Sequence, residues 1–235
     1  MKSYRMNAVI AGALYIAGTV SGILSAIATK DIFAAGDIVG AIAANQLPLR
    51  LGAFFVFLMG ISLAIMPVFL YPLFKRRNGS LALGMVIFRG PLELTAYFFT
   101  VGSWLVLGVF SEGLTTGAGA EASLQAISDI LVRFSEIMTP VTTTIFFIGA
   151  MFLYILFYQT RLIPRWLSLW GIISAVPYLA VDLVRFFGFD LHMDFLYFPL
   201  AVQEIVMAFW LIAAGFNKKA LEDLQNANSM KTNEI

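Results

Sequence analysis

Long stretches of this chain are apolar at nearly every position, with neither the two-residue alternation of a half-buried strand nor the single stripe of a surface helix. Six such windows are free or nearly free of charge: residues 8–28, 51–74, 81–109, 142–158, 167–187 and 197–216. A bilayer core of about 30 Å needs about 20 helical residues at 1.5 Å each, so each window predicts one membrane crossing. A barrel strand needs only about 9–11 residues and alternates in polarity, which leaves helices as the form that satisfies the backbone inside lipid. The predicted fold is all-α: a polytopic bundle of six transmembrane helices forming one membrane domain, residues 1–220. A polar tail, residues 221–235, reads as a frayed extension of the last helix.

Two connections are too polar to cross and too long to be bare turns: residues 32–46 and 122–138. The second spaces Leu124, Ile127, Leu131, Phe134 and Met138 as a helix face, predicting an outer interfacial helix or an outward extension of the fourth span broken near Pro140. The Gly/Thr/Ala tract at residues 113–120 reads as a flexible linker. Lys2 and Arg5 before an apolar stretch, with Ala26-Ile27-Ala28 after it, imitate a secretory signal. The stretch is longer than a signal core, and Gly18, Gly22 and Ala26 repeat every four positions as a close-packing face, so a retained helix is expected.

Composition strengthens this picture and removes alternatives. Hydrophobic residues make up 60% of the chain and charged ones 12%, with a mean hydropathy of +0.87, so a water-soluble globule is excluded. Fifteen Lys and Arg against 14 Asp and Glu leave no basic excess for nucleic acid. The absence of cysteine removes disulfides, thiolate metal sites and cysteine nucleophiles. Positive residues gather on one side of the spans, at Lys2, Arg5, Lys75, Arg76, Arg77, Arg161, Arg165, Lys218, Lys219 and Lys231. Lys30, Arg50, Arg133 and Arg185 fall on the other, which predicts cytoplasmic termini.

Ionisable residues inside the spans carry the functional signal, because each costs about 2.5–3.5 kcal/mol at a helix centre unless it finds a partner or water. Arg89 and Glu93 stand one turn apart in the third span with Pro91 between them; Asp182 and Arg185 lie in the fifth, Gln203 and Glu204 in the sixth. Counting 1.5 Å per residue puts Glu93 about 18 Å from the cytoplasmic start of its span, Asp182 about 22 Å from that of its own, and Glu204 about 10 Å from an outer end. The three acids are thus expected in one layer of the outer half, facing two arginines, with neutrality reached if one carboxyl group holds a proton. Pro91 and Pro177 are expected to kink the spans that carry them, as in transporter sites. We read Arg89, Glu93, Asp182, Arg185, Gln203 and Glu204 as lining a polar cavity for a small molecule, lipid or ion, with transport as one use of it. The alternative is a membrane interaction or regulatory subunit, or a homo-oligomer, in which these charges only fix helix register.

Other chemistry is thin. His192 is the single histidine; with Asp190 and Asp194 it makes half a metal site, and no metal or other cofactor is implied. No hydrolase or nucleotide-loop signature occurs, and no catalytic residue is assigned. Thr142, Thr143 and Thr144 open the fourth span near the same outer layer.

The turn Arg161-Leu-Ile-Pro-Arg-Trp166 leads to Gly171, and the last span runs Gln203-Glu204 through Trp210 to Gly215-Phe216. With the opening Ala11-Gly-Ala-Leu-Tyr-Ile-Ala-Gly18 and the Arg89/Glu93 pair, these resemble the prokaryotic membrane family of domain of unknown function 4386, from Arg5 to Phe216. The resemblance implies a six-helix bacterial inner-membrane protein and no particular activity. In the turn, Pro164 is expected to tighten the chain, Arg161 and Arg165 to meet anionic headgroups, and Trp166 to anchor the next helix; docking of a membrane protein partner is the other use of such a turn.

Overall fold

A computed structural model describes the backbone of residues 2–115, 121–189 and 192–232 and the side chains of residues 4–113, 126–189 and 192–226. Among them the chain forms helices α1 (Lys2–Phe33), α2 (Ile38–Ala44), α3 (Gln46–Phe74), α4 (Gly79–Ile87), α5 (Glu93–Thr115), α6 (Glu121–Thr160), α7 (Arg165–Phe186), α8 (Phe198–Ala213) and α9 (Lys218–Thr232), with no strand. Among the described residues six segments are long and apolar enough to cross a membrane: Tyr4–Phe33, Gln46–Phe74, Gly79–Gly113, Ala126–Thr160, Arg165–Phe186 and Asp194–Ala213. The protein is a multi-pass membrane bundle. One end, here the terminal face, carries the start of α1 and the turns at 75–78, 161–164 and 214–217; the distal face carries α2 and the segments 187–189 and 192–197.

The first span packs between α3 and α8. Its glycine face does this: a Cβ on Gly18 would lie 2.7 Å from the Leu63 side chain and one on Gly22 2.9 Å from Met59 Sδ, so any larger residue forces α3 away. On the other side Gly12 faces the Ala208 carbonyl of α8. Tyr15, Met66, Phe74, Met85, Tyr154 and Phe157 are fully buried at the centre, whereas Phe54, Val109, Ile173 and Phe209 are exposed around the outside, where lipid is their solvent.

The third span is not one regular helix. A π-turn, Phe88–Leu92, joins α4 to α5, and Gly90 within it has φ −98° and ψ −108°, outside helical space. Pro91 explains the break, since it has no N–H to give and its ring collides with the preceding turn. Pro177, by contrast, sits inside an uninterrupted α7.

Of the two outer connections, only the first holds a separate helix, α2, whose N-terminus Asp37 caps by accepting from Gly40 N–H at 3.0 Å. The second is an extension of the fourth span without the expected break: α6 is continuous through Pro140. Tertiary packing holds it, because Leu131 and Val132 rest on a small distal core of Ile32, Ile42, Leu49 and Leu107. Of the proposed linker, residues 116–120 lie outside the described residues. The tail is not an extension of α8 either. The chain turns at Gly215, φ +74°, and begins α9, whose Ala220, Leu221 and Leu224 enter the main core.

Candidate functional site

The π-turn aims Arg89 into the bundle, where neither it nor Glu93 meets solvent: their side chains are 0% and 1% exposed. Nη1 of Arg89 donates to both carboxylate oxygens of Glu93, at 3.0 and 2.9 Å. Nη2 donates to the Tyr15 hydroxyl at 3.4 Å, and that hydroxyl donates onward to Glu204 Oε1 at 2.8 Å. Tyr97, one turn after Glu93, donates to Glu93 Oε1 at 3.0 Å. A continuous string therefore runs Tyr97, Glu93, Arg89, Tyr15, Glu204, across α5, the π-turn, α1 and α8. Tyr154 of α6 brings its hydroxyl up to Glu204 and Tyr15 without a hydrogen bond of sound geometry. The guanidinium also faces the Phe146 ring at 4.8 Å. Its aliphatic stem fills the space above Gly149, where a Cβ would lie 2.7 Å from Cγ.

Asp182 joins a different group. It accepts from the hydroxyls of Thr143 and Tyr197. Arg185 turns to the surface, where Nη2 donates to Asp194 Oδ1 at 2.6 Å and Nη1 to the Tyr197 hydroxyl at 3.3 Å. Between the groups stands Tyr178, its ring 4.9 Å from that of Tyr197 and 5.3 Å from that of Phe146. The expected single layer of three acids is thus divided: Glu93 and Glu204 share one network through Arg89, and Asp182 lies beyond an aromatic partition. Gln203 points elsewhere again, donating to the Leu167 carbonyl at 3.1 Å, with its own side-chain oxygen buried and unpartnered.

A cavity of about 360 Å³ opens between five helices in the distal half, walled by Tyr97, Phe146, Tyr178, Thr100, Thr142 and Thr143. Tyr97 and Phe146 are also direct partners of the buried ion pair, so the pair sits one side chain behind this wall. The threonine protons are already committed: Thr100 to Ala96 O, Thr142 to Met138 O, Thr143 to Asp182. The wall presents threonine lone pairs and aromatic faces, together with the Tyr178 hydroxyl and the apolar side chains of Val56 and Met59. A second recess, about 540 Å³, lies further out beside Asp182, Arg185 and Glu136.

Five aromatic residues of this region were not singled out by sequence: Tyr15, Tyr97, Phe146, Tyr178 and Tyr197 as a hydrogen-bonding or ring partner. Two had a readable signal, because Tyr15 and Tyr97 lie well inside spans, away from the headgroup levels where tyrosine usually gathers. At the terminal face the turn places the Arg165 guanidinium 4.9 Å above the Tyr158 ring and stacks Trp166 on Trp170 at 6.3 Å, with Pro164 at the start of α7 and Arg161 in a left-handed conformation, φ +56°. No set of three or more metal-ligating side chains occurs among the described residues, and Asp190 lies outside them.

No curated protein and no solved structure matches the chain. Residues 10–215 match the family described as Domain of unknown function (DUF4386). That match reaches all six spans, the first from residue 10, and the chain belongs to this family.

Proposed function

We propose that the protein binds a small cationic organic molecule, such as an amine, in the distal cavity, in a bacterial inner membrane with both termini cytoplasmic. One observation carries this reading: Tyr97 and Phe146 form the wall of an open cavity and contact a buried charge network at the same time. Counted as ionised groups, that network holds Glu93 and Glu204 against Arg89, and Asp182 adds a further acid behind Thr143. The sum favours a positive guest, and so do the aromatic faces and the threonine lone pairs. Passage of the guest across the membrane would require the string from Tyr97 to Glu204 to open toward the terminal face; binding does not.

The test uses purified protein in detergent with tetramethylammonium, butylammonium and, as an anionic control, butanesulfonate. We expect the cations alone to raise the unfolding temperature, and the gain to vanish in Tyr178→Leu, which removes an aromatic wall without touching the ion pair. Equal responses to cations and the sulfonate, or a gain unaltered in Tyr178→Leu, overturn the proposal. Those outcomes favour the second reading, a membrane interaction subunit whose sealed Arg89–Glu93 pair fixes helix register.

A further inference from the structure

The two segments that carry the family resemblance meet at the terminal face, far from the distal cavity. The backbone N–H of Asn217 donates to the Leu162 carbonyl at 2.9 Å, tying the turn at 161–164 to the end of the last span. Between them is a cavity of about 470 Å³ whose rim carries Arg161 and Arg165, with Trp210 and Gly215 opposite. Neither arginine has an acidic partner among the described residues, and no acid lines the space. Next to it Arg5 lies against Gly215, held by donating to the carbonyls of Leu211, Ile212 and Ala213 at 3.2, 2.6 and 3.1 Å. Two positive groups line one pocket whose wall holds no acid.

Backbone conformation adds a second, separate observation. Arg161 occupies left-handed space at the end of α6, a position where glycine is strain-free and an arginine is not. Folding alone would select glycine there. A strained arginine at this position points to a role outside the fold, and Arg161 lines the pocket. The level in the bilayer is fixed by Trp166, Trp170 and Tyr158 beside it, rings that suit the headgroup region.

We infer that this pocket is a binding site for the phosphate group of an anionic phospholipid, gripped between Arg161 and Arg165 with its acyl chains running down the Trp166 side of α7. A forked guanidinium pair suits phosphate oxygens, and a space of this size takes a glycerophosphate headgroup. The site is independent of the distal cavity and stands whether or not that cavity binds a cation.

Native mass spectrometry of protein offered equal phosphatidylglycerol and phosphatidylcholine tests it. We expect one tightly held phosphatidylglycerol, preferred at least tenfold, with the preference lost in Arg161→Gln plus Arg165→Gln and kept in Arg76→Gln plus Arg77→Gln, which removes the same charge from the same face outside the pocket. Arg161→Gly is the sharper variant: relieving the left-handed strain should leave the unfolding temperature equal or higher while lipid retention falls several-fold. A preference lost equally in both double variants, or retention unchanged in Arg161→Gly, overturns the site. Glycerol 3-phosphate serves as a soluble probe: failure to displace the lipid supports the lipid as occupant, and full displacement at equal concentration overturns it in favour of a free phosphate ester. A co-purifying protein lost with the pocket arginines while lipid retention stays unchanged overturns it too.

Discussion

Arg89 and Glu93 are each other's main compensation for leaving water, and the two substitutions that break the pair are not equivalent to removing it. Arg89→Met leaves Glu93 ringed by Tyr97 and apolar surface with its strongest donor gone. Stranding one member of a buried ion pair costs about 3–5 kcal/mol, whereas replacing both by apolar groups of similar volume is often neutral. We therefore expect Arg89→Met to lower the unfolding temperature in detergent sharply and Arg89→Met with Glu93→Leu to recover most of the loss. A double variant as unstable as the single would mean that the string through Tyr15 to Glu204, and not the pair alone, needs the guanidinium.

At the scale of elements, the ion pair depends on how closely α6 approaches the π-turn. Gly149 makes that approach possible, because a Cβ there would meet Arg89 at Cγ, Cδ and the backbone nitrogen, at 2.7, 2.9 and 3.0 Å. A neighbouring backbone atom cannot swing aside as a side-chain end can. Gly149→Ala should therefore destabilise by about 1–3 kcal/mol, the usual range for overpacking, despite alanine being the better helix former, and a rise in unfolding temperature would contradict the packing described. The elements themselves were largely legible, since apolar length and backbone satisfaction leave a membrane chain few options. Pro140 misled because a proline removes one hydrogen bond locally, while the contacts of Leu131 and Val132 that keep α6 whole are long-range. The site was legible only in part for a related reason. Spacing along one helix placed Arg89 beside Glu93, and counting residues gave heights for the acids. Height says nothing of azimuth: Asp182 turns toward Thr143 and Tyr197, while Glu204 reaches Tyr15, a partner 189 residues away in sequence.

At the scale of the whole molecule, the distribution of Lys and Arg between the two faces sets the expected orientation. On the distal face Arg50 is paired with Glu112 at 2.9 Å and Arg185 with Asp194 at 2.6 Å. On the terminal face Lys75, Arg76, Arg77, Arg161, Arg165, Lys218 and Lys219 have no salt bridge among the described residues. Lys and Arg in short loops are retained on the cytoplasmic side during insertion, so the terminal face is expected there. The chain has no cysteine, so single ones can be introduced without background. Glu136 is exposed on α6 and, counted from Thr160, stands about 36 Å up the helix, clear of a 30 Å core. Lys219 lies at the start of α9. In right-side-out spheroplasts, Glu136→Cys should react with a membrane-impermeant maleimide at once and Lys219→Cys only after permeabilisation. The opposite pattern would put the arginine pocket on the outside and turn the distal cavity toward the cytoplasm, reversing the side from which each ligand must arrive.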